Sequence, residues 1–244
     1  MSVIVVSGTG TEIGKTIVTA GLAALARAAG RRVAVLKPAQ TGVGAGADGD
    51  LAEVARLGGE VYGRELARFP EPLAPATAAR RAGAAGVRPE AIAGAARELA
   101  GEYDLVLVEG AGGLLVRFDE AGGTLADAAR LLGAPVLVVA PAGLGTLNSA
   151  ALTGEALRAR GLEQLGVVVG SWPAEPDLAA RCNTADLPGA AGAPLLGAVP
   201  EGAGRLAPAD FRDRAPGWFA PPLGGVWDAG AFTAAALGAD SSVR

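Results

Sequence analysis

Histidine is absent from all 244 residues, which removes Ser-His-Asp and Cys-His nucleophile systems together with the usual zinc enzymes. Chemistry must come from lysine, carboxylates, hydroxyls and bound ions. Cys182 is the single cysteine, so neither an intramolecular disulfide nor a cysteine-built zinc site can form; it reads as a small core or surface residue. Lysine is nearly missing as well. Lys15 and Lys37 are the only two, and every other member of the 21 basic residues is arginine. Both stand near a glycine-rich loop, where a compact ammonium serves better than a planar guanidinium fork. No basic cluster tracks along the chain and the net charge is −4, so no nucleic-acid partner is expected. No apolar run reaches the roughly 18 to 20 residues of a membrane span, and no membrane partner is expected. The short apolar run at 1–6 has no basic residue before it and meets a Ser-Gly-Thr-Gly turn at once, unlike a secretory signal. A cytoplasmic location is the expectation.

Half of the residues are apolar, enough to bury one sizeable core, and the chain reads as one domain over 1–244. Short apolar runs alternate with longer helix-like stretches, the pattern of a parallel sheet with crossover helices. Strands are predicted at 3–7, 33–37, 105–109, 136–140, 166–170 and 195–199, and helices at 15–29, 51–57, 75–82, 89–100, 124–131, 146–160 and 177–187. Runs such as Val-Leu-Val-Val-Ala at 136–140 imply burial on both faces. The Gly-rich stretch 41–49 and the Pro-containing stretch 69–75 read as loops. From about 203 the pattern decays into Gly, Pro and Ala around Trp218 and Trp227. A packed but irregular C-terminal segment is expected there, frayed after about Ala236.

The first predicted strand runs into Gly8-Thr9-Gly10-Thr11-Glu12-Ile13-Gly14-Lys15-Thr16, and a helix follows. Strand, glycine loop and helix in that order are what a phosphate-binding loop requires. Its glycines let backbone N–H groups approach phosphate, the helix N-terminus adds partial positive charge, and Lys15 offers an ammonium to the β- and γ-phosphates. Thr16 would hold Mg2+. The first glycine sits one residue earlier than in the common spacing. The strand at 105–109 ends in Glu109, followed by Gly110-Ala111-Gly112-Gly113; the carboxyl edge of an open α/β sheet is where ligands bind. Asp50, at the mouth of the helix at 51–57, reads equally well as a helix cap or as a third oxygen donor beside Thr16 and Glu109 in a Mg2+ site. Lys37 closes the second strand, where it can neutralise charge that develops in phosphoryl transfer. Gly143-Leu144-Gly145-Thr146-Leu147-Asn148 opens a helix whose N–H groups could take a carboxylate.

Together these segments resemble the dethiobiotin synthetase family: the loop at 8–16, Lys37-Pro38-Ala39-Gln40-Thr41, Asp50-Leu51, Val108 to Gly113, and the stretch 143–148. The displaced first glycine is a trait of that family. The resemblance implies a doubly wound, mostly parallel α/β sheet of P-loop NTPase type, flanked by helices, in a homodimer. It implies closure of the ureido ring of dethiobiotin from 7,8-diaminononanoate, CO2 and ATP, a ligase reaction of biotin biosynthesis. Carried over by position, Lys37, Lys15 and Thr11 serve the reaction, with Thr11 and Thr41 on a substrate carbamate. Glu12, Ile13, Gly14, Lys15, Thr16, Ile17, Asp50, Glu109, Gly110, Ala111 and Gly112 hold the nucleotide and its Mg2+. Gly170, Ser171, Pro200, Glu201 and Gly202 face the base. Leu144, Gly145, Thr146, Leu147 and Asn148 of the second subunit receive the substrate's tail carboxylate.

The base pocket departs from the family pattern. Val169-Gly170-Ser171-Trp172-Pro173 lacks the asparagine that some members use to read adenine, so nucleotides other than ATP are expected to be accepted. The rival within P-loop proteins is a partition or septum-site switch ATPase of the ParA/MinD type. Those proteins carry a second lysine inside the loop, where this chain has Gly10.

Overall fold

The computed structural model describes residues 3–238. Its strands are β1 (Val3–Gly8), β2 (Val33–Lys37), β3 (Gln40–Thr41), β4 (Tyr62–Glu65), β5 (Arg68–Phe69), β6 (Leu105–Gly113), β7 (Val136–Ala140), β8 (Gln164–Trp172) and β9 (Leu195–Pro200). The helices are α1 (Lys15–Ala28), α2 (Asp50–Gly58), α3 (Pro75–Arg81), α4 (Pro89–Glu102), α5 (Leu125–Leu132), α6 (Thr146–Arg158), α7 (Leu178–Ala191), α8 (Pro208–Arg214) and α9 (Ala229–Gly238). Seven strands form one sheet in the order β4-β2-β6-β1-β7-β8-β9, and every neighbouring pair is parallel. β3 and β5 make a separate two-stranded parallel ladder.

The inner strands are apolar because both of their faces are covered. Val136 to Ala140 are wholly buried, as are Val106 to Val108. The connection from β1 leads to β2, on one side of the sheet, whereas that from β6 crosses β1 to reach β7 on the other. Right-handed crossovers then assign α1 and α2 to one face, where α8 packs with them, and α4 to α7 to the opposite face. β1 and β6 are neighbours whose chains leave in opposite directions, so a crevice opens at their carboxyl ends. Lys37, the phosphate-type loop and Glu109 all sit on that edge.

Several elements run past their expected ends. β6 continues from Glu109 to Gly113, with a register shift against β1 between Val6 and Gly8. α7 continues through Pro188 to Ala191, and Gly192 in the left-handed region closes it. Proline has no N–H for the carbonyl four residues back, and that carbonyl, on Thr184, instead accepts the Thr233 hydroxyl of α9 at 3.5 Å. The segment after 203 is more regular than its composition predicts, with α8, α9 and three short 3-10 turns. Phe219 is fully buried, and its ring lies where a Cβ on Gly21 would be, 2.4 Å away. Ala220 N donates to Leu196 O at 2.9 Å, so this segment covers the outer edge of β9, which would otherwise present unpaired backbone. Trp172, Trp227 and Phe232 cluster, with centroids 4.9 and 5.1 Å apart. The fraying expected after Ala236 falls largely outside the described residues.

Candidate active site

The loop between β1 and α1 owes its shape to positions that tolerate little bulk. A Cβ on Gly8 would meet Ile13 Cδ1 at 2.8 Å, and one on Gly14 would meet Gly170 O at 2.2 Å. Gly14 has φ 91, open to glycine without cost, and Glu12, at φ 56, is the one non-glycine residue with positive φ among the described residues; for a residue with a side chain that conformer costs on the order of 1–2 kcal/mol, and such residues gather at ligand sites. No side chain caps α1, so its first turn keeps its backbone donors directed at the crevice. Lys15 Nζ donates to Gly10 O at 2.7 Å, folding the lysine back over its own loop.

Opposite lies a buried charge cluster. Glu109 is 1% exposed, and its Oε1 accepts from Thr16 Oγ1 at 2.9 Å and from Lys37 Nζ at 2.8 Å. Lys37 also donates to Gly110 O at 3.3 Å and pairs with Asp50 Oδ2. Burial works against the charge on Lys37, but Glu109 and Asp50 together overcome it and hold its pKa above the ordinary lysine value. Lys15 goes the other way: burial and then the neighbouring Lys37 lower its pKa, against the smaller pull of Glu109 and Asp50. An anion bound beside Lys15 would offset the repulsion from Lys37.

Thr16, Asp50 and Glu109 therefore converge. Glu109 Oε2 is buried with no hydrogen-bond partner, the state of an oxygen held for a cation. No group of three or more His, Cys, Asp or Glu side chains suited to a metal occurs among the described residues. Mg2+ commonly takes one or two carboxylates together with phosphate oxygens and water, and this donor set fits that pattern.

A cavity of about 840 Å³ opens over the cluster, lined by Thr11 to Thr16, Lys37, Thr41, Asp50 and Glu109 to Gly112. Other expected site residues lie outside it. Ile17 packs toward Gly204, where a Cβ would approach its Cδ1 to 2.9 Å, and Gly170 backs onto the Ile13 carbonyl. Ser171, Pro200 and Glu201 are exposed beyond that contact. Leu144 is 92% exposed, Gly145 and Asn148 are exposed and Leu147 is partly buried; none of 144–148 lines the cavity of this chain. Sequence reasoning missed the wall made by Pro72, Leu73, Ala74, Pro75 and Val116. It also gave no role to Gln40, which is 3% exposed and accepts from Asp50 N at 2.9 Å. A proline-flanked loop carries no chemical signature, and the burial of Gln40 comes from contacts between elements that no local pattern records.

The AAA domain family model matches residues 2–204. The ATP-dependent dethiobiotin synthetase BioD of Streptomyces coelicolor is 68% identical over 232 residues, covering 95% of this chain and 98% of the relative. The protein of the same name from Saccharopolyspora erythraea is 70% identical over 227 residues, covering 93% and 99%. Among solved structures, a ParA family ATPase from Chlorobium tepidum aligns with TM-score 0.56 at 15% identity, covering 97% of each chain. The cell division ATPase MinD of Pyrococcus furiosus aligns with TM-score 0.54 at 20% identity, covering 99% of each. These two likenesses bear on the fold alone; the switch-ATPase reading draws no support from them, while the sequence relatives span nearly the whole chain.

Proposed function

Because the chain belongs to the AAA-domain proteins and, among them, to the ATP-dependent dethiobiotin synthetases, we propose that its cavity closes the ureido ring of dethiobiotin from 7,8-diaminononanoate, CO2 and ATP. The observation that carries this reading is the convergence of Lys37, Thr16 and Asp50 on the buried Glu109 beside the glycine loop. One substrate amine adds to CO2 and loses a proton, giving a carbamate held by Thr11 and Thr41. A carbamate oxygen attacks the γ-phosphorus, the bond to ADP breaks, and a carbamic-phosphoric anhydride results. The second amine attacks its carbonyl carbon, loses a proton, and expels inorganic phosphate as the ring closes.

The chain's part is positioning and charge. Lys15 and Lys37 face the transferring phosphoryl group, where fixed cations act only as charge develops, and no histidine is needed because positioning supplies much of the rate. Thr16, Asp50 and Glu109 would hold Mg2+, which neutralises phosphate charge when bound. Glu12, Ile13, Gly14 and Gly110 to Gly112 cradle the nucleotide, and Ile17, Gly170, Ser171 and Pro200 to Gly202, outside the cavity, border its base. These border residues offer mainly backbone, which supports acceptance of more than one base: kcat/KM for ATP, CTP and GTP should agree closely, and a preference for ATP by orders of magnitude would sink that part.

We place the enzyme in a homodimer in the cytoplasm. The support for a shared site is the start of α6: Gly145 caps it without a side-chain bond, and Thr146 Oγ1, buried at its first position, has no partner. From a second subunit, residues 144–148 would receive the substrate's tail carboxylate. The first test is phosphate release from ATP, Mg2+ and bicarbonate with and without 7,8-diaminononanoate, beside Lys37→Gln. Diamine-dependent release that falls at least about 100-fold in the variant is expected. Release that ignores the diamine would favour a switch ATPase.

A further inference from the structure

Resting on the reading above, we propose that Gln40 is a positioning residue that fixes the Asp50 carboxylate over the metal site. Gln40 belongs to the short ladder of β3 and β5 rather than to the main sheet. It nevertheless reaches the start of α2. Its Oε1 accepts from Asp50 N at 2.9 Å, and its Nε2 donates, at a longer 3.3 Å, to Thr41 O.

The contact answers a need of the helix. The first N–H groups of an α-helix have no partner within it, and Gly49, the residue before α2, supplies no side-chain cap. Gln40 takes over that role from another element. It can do so because position 49 has no side chain: a Cβ there would stand 2.7 Å from Gln40 Oε1. The loop leading to Asp50 is held from the same ladder. Arg68, the register partner of Gln40, donates to Ala47 O at 2.7 Å and Gly44 O at 3.2 Å while pairing with Glu65 at 2.8 Å.

The Asp50 side chain is 34% exposed and its Oδ2 pairs with Lys37, so the carboxylate is held by that ion pair and by the place of its own backbone. Its backbone is fixed by Gln40, and one residue along the same strand stands Thr41, on the cavity wall. With Lys37 holding the carboxylate from one side, the buried Gln40 amide sets the backbone spacing between a metal carboxylate and a substrate hydroxyl.

The test is Gln40→Met, which keeps the length and removes the acceptor, alongside Gly49→Ala, which pushes the amide off Asp50 N by another route. ADP binding is titrated calorimetrically with and without MgCl2, and the Mg2+ dependence of turnover is followed. Both variants should weaken the metal-dependent part of ADP affinity and raise the Mg2+ needed for half-maximal rate by about 10-fold or more. ADP affinity without metal should stay at the wild-type value. Wild-type Mg2+ behaviour in the two variants would overturn the proposal, as would equal loss of metal-free ADP affinity, which marks a general folding defect. Asp50→Asn separates the two layers. If Mg2+ dependence survives in Asp50→Asn, the metal assignment itself fails, whereas a defect in Asp50→Asn alone removes only the role of Gln40.

Discussion

At the scale of single residues, Lys37 has two jobs that different measurements separate. In the proposed reaction it meets developing phosphoryl charge; as part of the fold it is the cation paired with the Glu109 side chain at 1% exposure. Removing one partner of a buried ion pair costs about 3–5 kcal/mol, so Lys37→Gln should unfold at lower denaturant as well as lose turnover. Because the folded pKa of Lys37 is raised, its stabilisation is complete below the ordinary value of 10.5. It is lost as pH climbs through the higher folded value. The stability gap between wild type and Lys37→Gln, read from denaturant midpoints, should therefore be constant through neutral pH and narrow in strong alkali. A gap that is widest in alkali would contradict the pairing.

At the scale of elements, legibility in the sequence followed burial. The strands at 33–37 and 136–140 were readable to the residue because a strand covered on both faces has to be apolar throughout. β4 was invisible: Tyr62-Gly63-Arg64-Glu65 lies at the sheet edge with its first residues exposed, where no apolar run is required and charge guards against further pairing. β3 and β5 are two residues each and exist because tertiary contacts hold them, which no local pattern records. The helix at 177–187 was cut short by Pro188, whose missing donor is tolerated because α9 serves the freed carbonyl. In the site, the loop lysine, Thr16, Lys37 and Glu109 were legible because their chemistry fixes residue type and strand position. Gln40 was not, because its role is made by a contact between elements.

One such contact gives a further element-scale expectation. Arg32, at the entry to β2, places its backbone N and its guanidinium on Asp104, before β6, at 2.8 to 3.2 Å. Asp104 N donates back to Arg32 O at 2.9 Å. The Arg32 hydrogen bonds, side chain first, lower the Asp104 pKa from 3.8 to about 2. A depressed carboxylate stabilises fully above its unfolded value and ceases to as pH falls through its folded one. Asp104→Asn should thus be less stable than wild type at neutral pH, and the difference in Tm should vanish between pH 3.8 and about 2. Persistence of the difference below that window would assign it to packing instead.

At the scale of the whole molecule, the sheet's two ends are handled differently, one by a short charged strand and the other by the C-terminal segment lying along β9. Exposed apolar groups are found on neighbouring elements instead, among them Leu144, Leu152 and Leu178. If a second subunit completes each site, two variants disabled in different places can repair each other. Lys37→Gln mixed with Gly145→Asp, which blocks the start of α6 with negative charge, should form mixed dimers containing one intact site. Turnover in the mixture well above that of either variant alone is expected; no recovery after demonstrated subunit exchange would mean that each chain works by itself.

The facing glycines of the phosphate loop and β8 bear on what descent can reach from this sequence. A side chain at 14 would strike the Gly170 carbonyl, and one at 170 would strike the Ile13 carbonyl at 2.0 Å. In each case the obstacle is main chain, so no substitution of the opposing residue clears the way. An asparagine at 170, like any residue with a side chain, is closed to this lineage unless the phosphate loop first moves. If the base lies where proposed, a descendant under selection for stricter choice of nucleotide would have to recruit Ser171 or the turn at 200–202, and its history would be written there.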